Sequence, residues 1–168
     1  LLCTRDFEAL GPESPIRALT ASETQIIKSS SNFGFELLKQ IQNTQKDENI
    51  FISPLSVSMA LGMTYNGAAN ETATAMKNTL GFSNLSHAEI NDSYKSLLEL
   101  LAGLDPKVRL DIANSIWYQL GFTVEQPFID TNKKYFDAEI AALDFNLPSS
   151  VGTINNWVDT NTNGKIDK

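Results

Sequence analysis

The chain has 168 residues, 42% of them hydrophobic, which suits one domain with a packed core. Its 13 basic against 20 acidic residues leave a net charge of −7, which argues against nucleic acid and anionic lipid as partners, because both are held through clustered lysine and arginine. A single cysteine excludes an internal disulfide and a thiolate metal cluster, and no stretch offers the roughly 20 apolar residues that a membrane span needs.

Residues 1–19 mix Gly11, Pro12 and Pro15 with charges and show no periodicity, so a flexible tail is expected there. Cys3 follows Leu1 and Leu2 in a pattern that resembles the end of a bacterial lipoprotein signal, although small residues usually precede such a cysteine. Lipid attachment at Cys3 is one expectation; an unstructured terminus is the other.

Thr20 and Glu23 are spaced as a capping box. Ile26, Ile27, Phe33, Leu37, Leu38 and Ile41 then share one helical face, with Phe35 off it, and the polar run 42–48 ends the helix. The stretch 49–68, NIFISPLSVSMALGMTYNGA, reads as a short strand, Ile50-Phe51-Ile52, that turns at Ser53-Pro54 into a helix. Serine before proline is a start signal: the hydroxyl oxygen accepts from a first-turn amide, and proline loses nothing by lacking one. This helix is apolar all round, which predicts burial. A turn at 66–70 leads to a helix carrying Met76 and Leu80, with Gly81 as its stop. The next helix, 86–104, turns Ile90, Tyr94, Leu97, Leu98 and Leu101 inward.

Residues 108–120 alternate apolar and polar and predict one long strand of a large sheet. Thr123 and Gln126 are spaced as a second capping box before a helix with Phe128, Asn132, Tyr135 and Phe136 on one side. A second strand is expected over 138–145. Pro148 then opens a helix with Val151, Ile154, Trp157 and Val158 inward, stopped at Asn163-Gly164.

The segment 49–68 resembles the serpin family, in which a buried strand runs into a central helix through a Ser-Pro-x-Ser turn. GAANETATAMKNTLGF, DIANSIWYQLGF, YFDAEIAALDF and INNWVDTNTNGKI resemble further serpin blocks, in order, across nearly everything after residue 22. The resemblance implies an α+β serpin fold, incomplete in this chain: a multi-helix N-terminal part plus strands of the large main sheet. On that reading 1–19 is a tail and 20–168 is the N-terminal part of one domain, completed by a second polypeptide that carries the reactive loop. Lys168 becomes a candidate nick site. Ser53 and Ser56 fall on the shutter, where the family's main sheet opens. The implied function is suicide-substrate inhibition of a target protease, of the serine or also the cysteine class. The loop is cleaved, the enzyme is trapped covalently, and the loop inserts into the sheet. The alternative is a non-inhibitory serpin acting as carrier, chaperone or storage protein. The low cysteine count and the lipoprotein-like start at Cys3 point to a microbial serpin in an extracellular, periplasmic or cell-surface location. Glycine usual in the family near Asn70 is replaced here by asparagine, which tolerates positive φ. In several serpins the helix matching 86–104 is basic and binds heparin; here Lys95 and His87 face Glu89, Asp92 and Glu99, so no polyanion site is expected.

One motif competes with this reading. Asp159, Asn161, Asn163 and Asp167 place oxygen ligands at alternate positions around Gly164, like the first part of a calcium loop, which would make the chain a calcium-binding interaction module. No cofactor is otherwise indicated. His87 is the only histidine, Cys3 has no fixed base, and no glycine-rich loop follows a strand, so no catalytic site emerges. Three tripeptides, at Asn70, Asn84 and Asn91, fit the glycosylation acceptor pattern.

Overall fold

A computed structural model describes residues 17–46, 48–105, 107 and 110–166. The elements run α1 (Ala21–Thr44), α2 (Pro54–Tyr65), α3 (Asn70–Thr79), α4 (His87–Ala102), β1 (Ser115–Gln119), α5 (Gln126–Phe136), β2 (Glu139–Leu143) and α6 (Ser149–Asn161). The Thr20–Glu23 capping box forms as expected, with the Glu23 amide donating to the Thr20 hydroxyl at 3.2 Å and the Thr20 amide to the Glu23 carboxylate at 2.8 Å. Gly81, at φ +73°, ends α3 in a Schellman arrangement: the Phe82 amide donates to the Lys77 carbonyl and the Gly81 amide to that of Asn78. Asn70 does adopt positive φ, at +51°.

The core lies between α1, α2, α4 and α5. Ile26, Met59, Met63, Leu80, Phe82, Ile90, Tyr94 and Phe136 are buried there. Phe82, Tyr94 and Phe136 form a run of ring contacts with centroids 6.1 and 5.4 Å apart. The α1 face is narrower than its periodicity suggests: Ile26 is buried, but Ile27 and Leu38 are exposed along with Phe35. α2 is covered along Ser58, Met59, Gly62, Met63 and Tyr65, while Ala60 faces out, so its burial is one-sided among the described residues.

Four local expectations change. Ile50-Phe51-Ile52 forms no strand, and Phe51 is fully exposed. A strand needs a neighbour for its backbone groups, and none of the described residues pairs with it. The long strand 108–120 contracts to Ser115–Gln119 for the same reason: β2 supplies partners only from Glu139 to Leu143, and Leu110 and Ile112 remain exposed. Val108 and Arg109 lie outside the described residues. The second capping box does not form, because α5 begins at Gln126 with Glu125 before it and no side-chain cap; Gln126 instead donates to Asp130 at 2.8 Å. Val151 is exposed rather than inward, since it sits in the first turn of α6, beyond the end of β2.

β1 and β2 are parallel and hydrogen-bonded in register from Ser115–Glu139 to Gln119–Leu143, with α5 as the crossover between them. The other edge of β1 carries no strand among the described residues.

Candidate functional site

Two features of the fold bear on the expected function: the first turn of α2 and the two-stranded sheet. Ser53 has extended backbone, and its hydroxyl oxygen accepts from the Ser56 amide at 3.4 Å, with Pro54 in the first helical turn. The Ser53 and Ser56 hydroxyls lie 2.8 Å apart, and both side chains are exposed. The structure therefore brings the two serines together as one hydroxyl pair at a helix start.

Trp157 ties α6 to the sheet. The Trp157 ring meets that of Trp117 on β1 edge-on, and its indole N–H donates to the Glu139 carboxylate at the start of β2. Trp117 in turn donates to the Ser115 hydroxyl at 2.9 Å. Where β2 leaves the sheet, Gln119 on β1 bonds Asp144 and the Phe145 amide. Backbone and side-chain donors of Asn146, together with Gln119, hold the Asp144 carboxyl below the usual range. A cavity of about 500 Å³ opens between the ends of α4, α5 and α6 and residues 110–114, with Glu99, Asn114 and Asp137 among its walls.

The calcium-like stretch is built as a helix end. Asp159 and Asn161 belong to the last turns of α6. Asn161 donates to the Trp157 carbonyl at 2.9 Å. Asn163, at φ +53°, is the left-handed residue after α6 and donates to Asp111 at 2.9 Å, while the Gly164 amide reaches the Asp159 carbonyl at 2.9 Å. Among the described residues no three histidine, cysteine or acidic side chains are placed to hold a metal ion. Cys3, Asp167 and Lys168 lie outside the described residues. His87 heads α4 and stacks on the buried Tyr65 ring at 4.2 Å; desolvation, with Lys77 nearby, lowers its pKa.

Three constellations have no signature in local spacing. Asn66 donates to Asn91 at 3.1 Å and to Asn132 at 3.0 Å, and Asn91 donates back at 2.9 Å. Asn91 is thereby buried and committed, unlike the exposed Asn70 and Asn84 of the other acceptor tripeptides. Arg17, within the stretch read as a tail, bonds both oxygens of the buried Glu23 and the Ser96 hydroxyl at 2.6–2.9 Å. Tyr94 meets Ser58 in the core.

The family model described as serpin (serine protease inhibitor) matches residues 28–168. The chain belongs to the serpin family. Neuroserpin of Gallus gallus is 37% identical over 128 residues, covering 76% of this chain and 31% of that protein. The corticosteroid-binding globulin of Oryctolagus cuniculus is 33% identical over 138 residues, covering 80% and 36%. The solved structure of cleaved Serpin 42Da superposes with a TM-score of 0.75 at 28% identity, covering 87% of this chain and 38% of that one. The chain thus spans about a third of the length of the serpins it matches, and its fold is an incomplete serpin fold. Among the described residues no helix is long and apolar enough to cross a membrane.

Proposed function

We propose that this serpin chain is the N-terminal part of a suicide-substrate inhibitor of serine proteases, whose reactive loop and remaining sheet strands are supplied by polypeptide beyond these 168 residues. The observation that supports this most directly is the edge of β1. Among the described residues it is paired to β2 on one side only, while large apolar side chains around it, Leu110, Ile112, Leu120 and Phe122, face solvent. A parallel sheet is ordinarily covered on both faces, and an open edge invites another strand. In this reading Ser53 and Ser56 act as the shutter, and a cleaved loop enters the main sheet with the protease attached through an acyl bond. The native form is then held by a barrier rather than by being the most stable arrangement.

The test is incubation of the whole serpin with trypsin-like, subtilisin-like and papain-like proteases. The expected result is a complex that survives denaturing electrophoresis and a cleaved form with a higher melting temperature. Cleavage without a complex or a rise in Tm overturns the inhibitory reading. The carrier reading then stands, and the likeness to a corticosteroid-binding globulin supports it. The mixed charge on α4, Lys95 against Glu89, Asp92 and Glu99, gives a heparin-type polyanion no basic cluster to bind. An extracellular or surface location, with Cys3 as a candidate lipid anchor, fits the same role.

A further inference from the structure

Hydrophobic patterning sets the rotation of α2 only in part. Met59, Met63 and Tyr65 face the core and Ser56, Ala60 and Thr64 face out, but Leu55, Val57 and Leu61 are half-buried between them. A helix with so broad an apolar surface gives up little by a small turn about its axis. A directional contact fixes such a rotation more sharply than apolar burial does.

Such a feature stands on α4. The Tyr94 ring lies along α2 between positions one turn apart. Its Cε2 would come within 3.2 Å of a Cβ on Gly62, so a side chain there would push the ring back by a few tenths of an ångström. Its hydroxyl meets the Ser58 hydroxyl at 2.5 Å and lies 3.4 Å from the Ser58 carbonyl. The Ser58 hydroxyl also lies 3.3 Å from that of Ser30 on α1. Ser58 and Tyr94 are each 1% exposed, so water does not stand in for this bond. Burial raises the Tyr94 pKa and keeps the phenol protonated.

We propose that the Tyr94–Ser58 bond, seated in the gap at Gly62, locks the rotation of α2 and thereby positions the Ser53–Ser56 hydroxyl pair at its start. Side chains stand about 5 Å from a helix axis, so a 20° turn displaces them by roughly 2 Å. That displacement is enough to break a hydrogen bond. Tyr94 is therefore a positioning residue for the first turn of α2. Its bearing on strand entry rests on the shutter reading of Ser53 and Ser56; the lock itself does not.

The test is amide hydrogen exchange at 53–58 in the whole serpin. Tyr94→Phe and Ser58→Ala are compared with Ile90→Val, which trims the same core without touching the bond. The lock predicts that Ser56 and Val57 exchange about tenfold faster in Tyr94→Phe and Ser58→Ala, the factor expected for one lost hydrogen bond. Ile90→Val leaves them unchanged, and the double variant is no faster than either single one. Equal exchange in Tyr94→Phe and Ile90→Val, or additive effects in the double variant, overturns the proposal. Should Tyr94→Phe fail to fold, Ser58→Ala, which removes one oxygen, carries the same comparison. Protease trapping is measured in parallel. A wild-type protein that traps no protease counts against the proposed function alone, because the exchange comparison still decides the lock.

Discussion

Trp157 on α6 meets Trp117 on β1 edge to face, with 6.1 Å between ring centres and 82° between planes. The pair, with the indole bond to Glu139, joins α6 to the sheet. Aromatic pairs of this kind contribute about 0.5–1.5 kcal/mol beyond their buried area. Trp157→Ala is therefore expected to destabilise the protein by about 2–3 kcal/mol, and Trp157→Phe by roughly half that. Urea denaturation followed by Trp117 fluorescence measures both. An unchanged midpoint for Trp157→Ala would show that α6 is held elsewhere.

Glu23 predicts an acid dependence. Its hydrogen bonds to Arg17, aided by the Thr20 amide and opposed by desolvation, lower its pKa to about 2 from an ordinary 4.5. A carboxylate with a depressed folded pKa adds stability above the unfolded value and loses it as pH falls through the folded one. The contribution is therefore complete above about pH 5 and disappears between about pH 4.5 and 2. Glu23→Gln should cost about 1–3 kcal/mol at pH 7 and little at pH 2. Denaturation midpoints of both proteins across that range should converge on acidification; parallel curves would exclude Glu23 as the source.

Gly34 gives a prediction whose sign runs against helix propensity. Within an exposed helix, glycine to alanine ordinarily gains up to about 1 kcal/mol. Here a Cβ would stand 2.9 Å from Pro54 Cβ and 3.2 Å from its Cγ, both in a ring that cannot swing aside. Gly34→Ala is expected to destabilise by about 1–3 kcal/mol through separation of α1 from the start of α2. A gain in Tm would mean that the two helices part without cost.

Asn70 occupies the left-handed region at φ +51°. Residues with a Cβ pay about 1–2 kcal/mol there, asparagine less, and glycine almost nothing. Asn70→Gly should fall within about 0.5 kcal/mol of the parent, while Asn70→Val should cost about 1–2 kcal/mol. Equal Tm values for the two variants would show that the turn relaxes to another conformation.

Helix boundaries were open to reading because each is a short-range bond. Ser53 caps α2 through a residue three positions on, Glu23 closes its box with Thr20, and Gly81 ends α3 within its own last turn. The pairing of Ser53 with Ser56 was legible for the same reason, through the Ser-Pro-x-Ser turn. Strand length was not. The alternation over 108–120 reports which side chains could face a core, whereas a strand extends only as far as a neighbour pairs with it, and β2 stops at Leu143. The calcium-like spacing has the same ambiguity, since the oxygens of a helix end and of an ion loop share their sequence pattern, and in the structure Asn161 and Asn163 bond Trp157 and Asp111.

By itself, then, the sequence determined where most helices begin and end, the start of α5 excepted, which family's pattern the chain follows, and that its central helix is apolar over most of its surface. Tertiary structure alone decided how that helix is turned, through Tyr94 and Ser58, 36 positions apart. It also decided which asparagines meet and how α6 sits on the sheet. Such contacts depend on shape and distance between segments remote in the chain, and neither propensity nor periodicity encodes them.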